Sequence, residues 1–310
     1  MIGLQLFERI FKQKNSKELE ESLLVIKKHL TTEVELERLQ IVLKGQYKEA
    51  YETLDNAINA GLTPALVGPP GVGKSFLARR YAQDTGRPFY EIFFDETMKP
   101  SSLIGYFDPA ITMKKGYCLE AFIPGPLSKA MVEGGIFLAQ ELNRATEYCQ
   151  NTLLAPLEER RYYIPRLGHI KADKNFVLIA AMNPAELGGT YRLSEALKDR
   201  IGVWIPLGYP SKEVEIEIIK VNSPEYRIEE YVFEIIYSII NKARKDKRFD
   251  SPSIRDGIAI ARMLGEIKNK KGRITNEDIV ICASYVLRIN MKDELGSEYA
   301  MKEFIEEFIR

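Results

Sequence analysis

The stretch Gly68-Pro69-Pro70-Gly71-Val72-Gly73-Lys74-Ser75 decides how this chain reads. It matches the pattern GxxxxGK[ST] in full. An apolar run, LTPALV at 62–67, precedes it, and the helical stretch SFLARRYAQ at 75–83 follows. That strand, loop and helix order is the context the pattern needs. Glycines let successive backbone N–H groups turn inward around a phosphate, and the start of the helix adds its positive dipole end. On this reading Gly68, Pro69, Pro70, Gly71, Val72 and Gly73 form the cradle, with Phe76 just behind it. Lys74 reaches the β- and γ-phosphates of ATP, and the Ser75 hydroxyl holds Mg²⁺.

Working outward, four more short apolar runs follow: PFYEIFF (88–94), GGIFLA (134–139), FVLIAAM (176–182) and VWIPL (203–207). Apolar throughout and separated by helical patterns, they predict the strands of a parallel sheet covered on both faces. A proline-marked break at 209–211 ends this region. Only helical patterns come after it: 211–222, 226–246, 252–269, 275–290 and 297–310. Thr275 opens one of them as an N-cap before an acidic first turn. Upstream, 46–60 forms an amphipathic helix stopped by Gly61. Residues 17–43 look helical, and in 1–14 Leu4, Phe7, Ile10 and Phe11 fall at helical spacing. Packing on its own domain is the better reading for that first helix, with membrane or partner docking as the alternative. The fold class predicted is α/β, a P-loop core with a parallel five-stranded sheet, followed by a small all-helical domain. The boundaries are 1–42 for a helical N-terminal extension, 43–210 for the nucleotide-binding domain and 211–310 for the helical lid.

Composition narrows the class. At about 150 residues per domain, 310 residues suggest roughly two domains. With 44 Lys+Arg against 44 Asp+Glu the net charge is zero, which disfavours a protein built to coat nucleic acid or anionic membrane. Cys118, Cys149 and Cys282 are far apart, and His29 and His169 are the only histidines, so no disulfide scaffold or Cys/His zinc site of ordinary spacing is expected. The longest apolar run, 176–182, falls far short of the ~20 residues that span a bilayer. The N-terminus lacks the cleavage pattern of a secretory signal, and a cytoplasmic location is the expectation.

A phosphate cradle that hydrolyses its nucleotide also needs a carboxylate at a neighbouring strand end. GGIFLAQELNRA at 134–145 offers Glu141 for polarising the attacking water. Gln140 stands just before it, where an aspartate would support the Mg²⁺ shell. A neutral amide can still bond a metal-bound water, but it takes one charge from the site and weakens the expected turnover.

These residues resemble the MoxR-type AAA+ ATPases, in the clade with an insert in helix 2, from about Leu43 to about Ile289. GPPGVGKS resembles that family's Walker A. LAQELNRA (138–145) is similar to its LADEINRA, departing at Gln140. LKGQ (43–46) resembles the VGQ segment by the adenine pocket, which implicates Leu43 and Gly45. AAMNPAELGGTY (180–191) resembles sensor 1 and implies that Asn183 senses the γ-phosphate and aligns water. LSEALKDRI (193–201) resembles the stretch at the subunit boundary, which makes Arg200 the arginine finger reaching the neighbouring subunit. SPSIRDG (251–257) resembles sensor 2, with Arg255 contacting the γ-phosphate in cis. From the residues alone, an ion pair of Arg200 with Asp199 or another acid of its own subunit is the alternative. For Arg255 the alternative is a solvated helix-start arginine. The tract 101–127 resembles the insert hairpin and 159–174 the pre-sensor 1 hairpin. Tyr106, Phe107, Tyr117 and Phe122 either contact a substrate or pack the hairpin locally.

The resemblance implies a homo-oligomeric ring, six subunits by family expectation, that hydrolyses ATP with Mg²⁺ to remodel or activate partner proteins. A von Willebrand factor A domain protein is the implied partner. A non-catalytic nucleotide-gated adaptor, motivated by Gln140, is the alternative, and a nucleic-acid motor subunit is another. The basic runs at 242–248 and 268–273 are not interleaved with base-stacking aromatics, and six acids against three bases in 291–310 partly offset them. They read as solvated helix faces, so nucleic acid is not an expected partner.

Overall fold

The chain's strands form where apolar and β-branched residues run together between turn residues. In the computed structural model the described residues are 40, 42–183, 193–223, 228–249, 251–287 and 304–305. Their strands are β1 (Thr63–Val67), β2 (Phe89–Phe93), β3 (Gly105–Phe107), β4 (Phe122–Pro124), β5 (Ile136–Gln140), β6 (Arg161–Ile164), β7 (Gly168–Lys171), β8 (Val177–Met182) and β9 (Ile201–Pro206). Five of them make the main sheet, ordered β2-β5-β8-β1-β9 and parallel throughout. The runs expected at 62–67, 88–94, 134–139, 176–182 and 203–207 are these strands, displaced by no more than two residues at any end. β9 starts earlier than expected because the helix Glu195–Arg200 enters it directly at Ile201.

β5 is buried along its whole length, as a central strand with helices on both faces must be. The helix Lys74–Thr85 packs on β5 and β8, and the helix Pro126–Glu133 on β2 and β5. The helix Pro126–Glu133 contributes Leu127 and Met131 to a core shared with Phe94, Leu103, Phe137 and Leu153. The helix Gln46–Asn59 ends where expected, with Gly61 at φ +73 donating its N–H to Ile58 O at 3.0 Å.

The two excursions differ in kind. β6 and β7 pair antiparallel as the expected hairpin, Tyr162 opposite Ile170. β3 and β4 also pair antiparallel, Tyr106 opposite Ile123, but a helix, Pro109–Lys115, separates them, so this tract is not a plain hairpin. The cause is local. Asp108 accepts a hydrogen bond from Ile111 N at 3.0 Å, and Pro109 follows in the first turn, a complete helix start. Phe107 meets both Tyr117 and Phe122 edge-on, which is the local-packing alternative for those aromatics, whereas Tyr106 is exposed.

Two compact units emerge. One holds 50–68 and 74–206, and so contains the main sheet. The other holds the described residues of 39–49, then 69–73, and those from 207 onward. Its helices are Lys212–Val221, Glu230–Lys245, Ile254–Lys271 and Asn276–Val286, packed through Ile219, Phe233, Ile236, Ile240, Leu264 and Ile279. The expectation of purely solvated basic faces fails at one residue. Arg244 keeps only 9% of its side chain exposed and grips the fully buried Glu215 with both terminal nitrogens, Nη1 at 2.7 Å from Oε2. It also stacks 3.8 Å over the Tyr209 ring. A buried carboxylate must be paired, and the planar guanidinium does this bidentately.

The helical readings at 1–42 and 297–310 and the acidic tail lie outside the described residues, apart from 40, 42, 304 and 305. Residues 184–191 of the sensor 1 stretch lie outside them too. No helix among the described residues is long and apolar enough to cross a membrane. All three cysteines are free thiols, and burial pushes those of Cys149 and Cys282 up to about 11.

Candidate functional site

Parallel strands place their carboxyl ends together, and the residues just beyond β1, β5 and β8 build the site there. Gly68 N donates to Met182 O at 3.1 Å, tying the start of the glycine loop to the end of β8. Lys74 Nζ donates to Gly68 O at 2.7 Å and to Asn183 Oδ1 at 3.0 Å. The candidate sensor thus touches the candidate phosphate lysine directly. Asn183 is buried, and Asn143 Nδ2 donates to its carbonyl at 3.0 Å, which locks β8 to the turn after β5.

Gln140 is buried at the end of β5 and accepts a short hydrogen bond from the Ser75 hydroxyl on Oε1. Its Nε2 donates to Glu91 Oε2 at 2.7 Å, and Arg79 closes the chain by an ion pair to Glu91 Oε1. Glu141 comes next, in the left-handed region at φ 53, ψ 38. A non-glycine residue held there stores strain, a frequent feature of functional turns. Its Oε2 lies 2.6 Å from Arg144 Nε.

The rest of the loop belongs to the helical unit. Gly71 and Gly73 have φ of +75 and +92, which glycine alone adopts without strain. A Cβ on Gly71 would collide with Ser253 Cβ, so the turn lies hard against that residue. Ser253 caps the helix Ile254–Lys271 in a capping box with Asp256, and Arg255 is exposed in its first turn. Tyr47 OH donates to Val72 O at 2.8 Å, and burial raises the pKa of that phenol. Leu43 is half-buried, and Gly45, at φ +51, is exposed just before the helix Gln46–Asn59.

Within the sheet-bearing unit, Lys74, Ser75, Gln140 and Asn183 suit a magnesium nucleotide. The loop is closed to side chains at Gly71, as a backbone phosphate cradle requires. Ser75 and Gln140 offer hard oxygens, the donors that Mg²⁺ takes directly or through its waters. Phe76 is half-buried in the helix Lys74–Thr85, behind the loop. Arg200 ends the helix Glu195–Arg200. It pairs with Glu158 of the same chain at 2.7 Å and donates to Ala196 O, while its Nε is buried without a hydrogen-bond partner. The acid it meets within the chain is therefore Glu158.

Sequence reasoning did not single out Glu91, Arg79, Asn143, Tyr47 or Ser253. Glu91 carried one signal, a lone carboxylate inside an otherwise apolar strand run. Tyr47 directly follows the quoted LKGQ, and Ser253 with Asp256 spells a capping box.

Residues 65–201 match the family described as AAA domain (dynein-related subfamily). Over 163 residues the chain is 34% identical to the Bacillus subtilis (strain 168) protein YeaC, covering 52% of this chain and 47% of that one. It is 35% identical over 156 residues to Chaperone MoxR1 of Mycobacterium tuberculosis, covering 50% of this chain and 38% of the relative. The chain therefore spans about half the length of YeaC and less of MoxR1. It does cover 70% of a Staphylococcus haemolyticus protein, SH1500, at 32% identity over 188 residues, 59% of this chain. Among solved structures, the Thermotoga maritima RuvB Holliday junction branch migration motor aligns with a TM-score of 0.51 at 19% identity, covering 79% of this chain and 70% of that one. At that identity the likeness is one of fold.

Proposed function

The chain belongs to the MoxR-type AAA+ ATPases, and on that premise we propose that it binds ATP with Mg²⁺ and hydrolyses it as one subunit of a ring that remodels partner proteins. The observation that carries the reading is the convergence of Asn183 on Lys74 and of Gln140 on Ser75 at the sheet's carboxyl edge. Lys74 brings its ammonium to the phosphates from a position fixed by Gly68 O and Asn183. Ser75 and Gln140 would hold Mg²⁺, which when bound neutralises charge on the phosphoryl oxygens. Glu141 orients the attacking water with its carboxylate. Arg200 stabilises the transferred group in the neighbouring subunit, and Arg255 contacts the γ-phosphate in its own. Leu43 and Gly45 flank the base.

A ring of six subunits and a von Willebrand factor A domain partner are part of the same proposal. Gln140 favours one second reading, a nucleotide-gated adaptor that binds without turnover. The pairing of Arg244 with Glu215 removes a cation from the basic run that a nucleic-acid motor would use. The test is hydrolysis by the purified protein with Mg²⁺. Glu141→Gln should lower the rate about 10²- to 10⁴-fold with nucleotide binding intact. An unchanged rate overturns the role of Glu141, and binding without turnover in the wild type leaves the adaptor.

A further inference from the structure

We infer that Glu91 is a positioning residue that makes Gln140 work where an aspartate is expected, and that the two form an exchanged pair, with the amide at the strand end and the carboxylate one strand over. The inference rests on the magnesium-nucleotide reading above and deepens it.

A glutamine amide has a donor end and an acceptor end, and a carboxylate only accepts. Gln140 Nε2 donates to Glu91 Oε2 at 2.7 Å, so its Oε1 must face the other way, toward Ser75. Turned over, the amide would set oxygen against carboxylate oxygen. Ser75 must then donate its proton to Gln140 Oε1, which leaves the lone pairs of its hydroxyl for a cation. An aspartate in this place would need no such help, since both of its oxygens accept. A glutamine needs a fixed acceptor behind its nitrogen, and Glu91 on the edge strand β2 supplies it. Arg79, four residues along the helix from Ser75, holds Glu91 by an ion pair, so both ends of the relay are anchored to the helix Lys74–Thr85. The geometry also excludes simple repair of the site. Gln140→Asp alone would bring a second carboxylate against Glu91 with no proton between them.

The test is Mg²⁺ titration of a bound fluorescent ADP analogue, with thermal melting of the nucleotide-free protein. Gln140→Asp should raise the Mg²⁺ concentration at half-saturation about tenfold, the scale of losing one charge-assisted bond. Adding Glu91→Gln should return it to the wild-type value or below, because the amide is then on β2 and donates to the carboxylate now on β5. Glu91→Leu should repeat the loss on a different side chain, and it keeps the test open if Gln140→Asp does not fold. A merely structural role would shift the melting temperature of each variant without a selective change in Mg²⁺ dependence. Gln140→Asp alone at or below the wild-type Mg²⁺ requirement, or an exchanged double variant no better than the single one, overturns the inference while the nucleotide reading stands. A wild type whose nucleotide binding ignores Mg²⁺ altogether overturns both.

Discussion

Glu141 Oε2 sits 2.6 Å from Arg144 Nε, so the carboxylate assigned to the attacking water is already paired three residues along its own chain. Both side chains are part-exposed, and such pairs contribute about 0.2–1 kcal/mol. For Glu141 to turn to a water, that contact has to open. Arg144→Gln removes it, and kcat for ATP should rise at most about fivefold, the rate equivalent of that energy, with KM nearly unchanged. Steady-state hydrolysis checks this, and a fall in kcat would show instead that Arg144 assists the reaction.

Gly71→Ala should abolish nucleotide binding. The added Cβ would collide with Ser253 Cβ, and φ +75 is costly for any L side chain. Gly86→Ala is the matched control, since it has φ +64 with nothing within 4 Å. That control should lose about 1 kcal/mol of stability and bind as the wild type does. Calorimetric nucleotide binding with thermal melts separates the two. Equal binding by both variants would mean that the Gly71 turn yields.

Much of this was legible from local pattern. The glycine loop and the five strand runs each depend on neighbours in sequence, and their ends match within two residues. The helix inside 101–127 was also encoded locally, by Asp108 before Pro109, but the aromatic and glycine-broken composition drew attention to hairpins. The relay through Glu91 was not legible, because it joins residues 49 apart whose contact exists only once β2 lies beside β5. Arg244 and Glu215 look like ordinary surface charges until their helices are placed. Each then continues an apolar stripe, Arg244 four residues after Ile240 and Glu215 three before Ile218.

The helical unit should lose stability in acid through Asp278. Lys271 and Thr275 bond its buried carboxylate and pull its pKa down to about 2 from 3.8. A depressed carboxylate stabilises the fold fully above its unfolded pKa, and that contribution is lost as pH falls from about 4 to about 2. It amounts to roughly 2 kcal/mol. Asp278→Asn should therefore be less stable than the wild type at pH 7, with the gap closing toward pH 2. Denaturant melts across that range check it, and a gap that stays constant would place the effect outside the ionised carboxylate.

Arg200 offers the test of ring assembly. Within its own chain it is held by Glu158 and Ala196 O, with Nε buried and without a hydrogen-bond partner. If it serves the neighbouring nucleotide, Arg200→Ala should retain ATP binding and lose hydrolysis about 10³-fold or more. Lys74→Ala should lose nucleotide binding itself. Neither variant alone turns over, yet in a mixed ring an Arg200→Ala subunit with an intact cradle can sit beside a Lys74→Ala subunit with an intact arginine. Equal random mixing makes that pairing at about a quarter of the interfaces, so about a quarter of the wild-type rate should return. Glu158→Gln, which releases Arg200 from its own subunit, should raise the wild-type rate and leave Arg200→Ala inactive. Inactive mixtures would overturn the role in trans, and full activity of Arg200→Ala on its own would assign Arg200 to the ion pair with Glu158 alone.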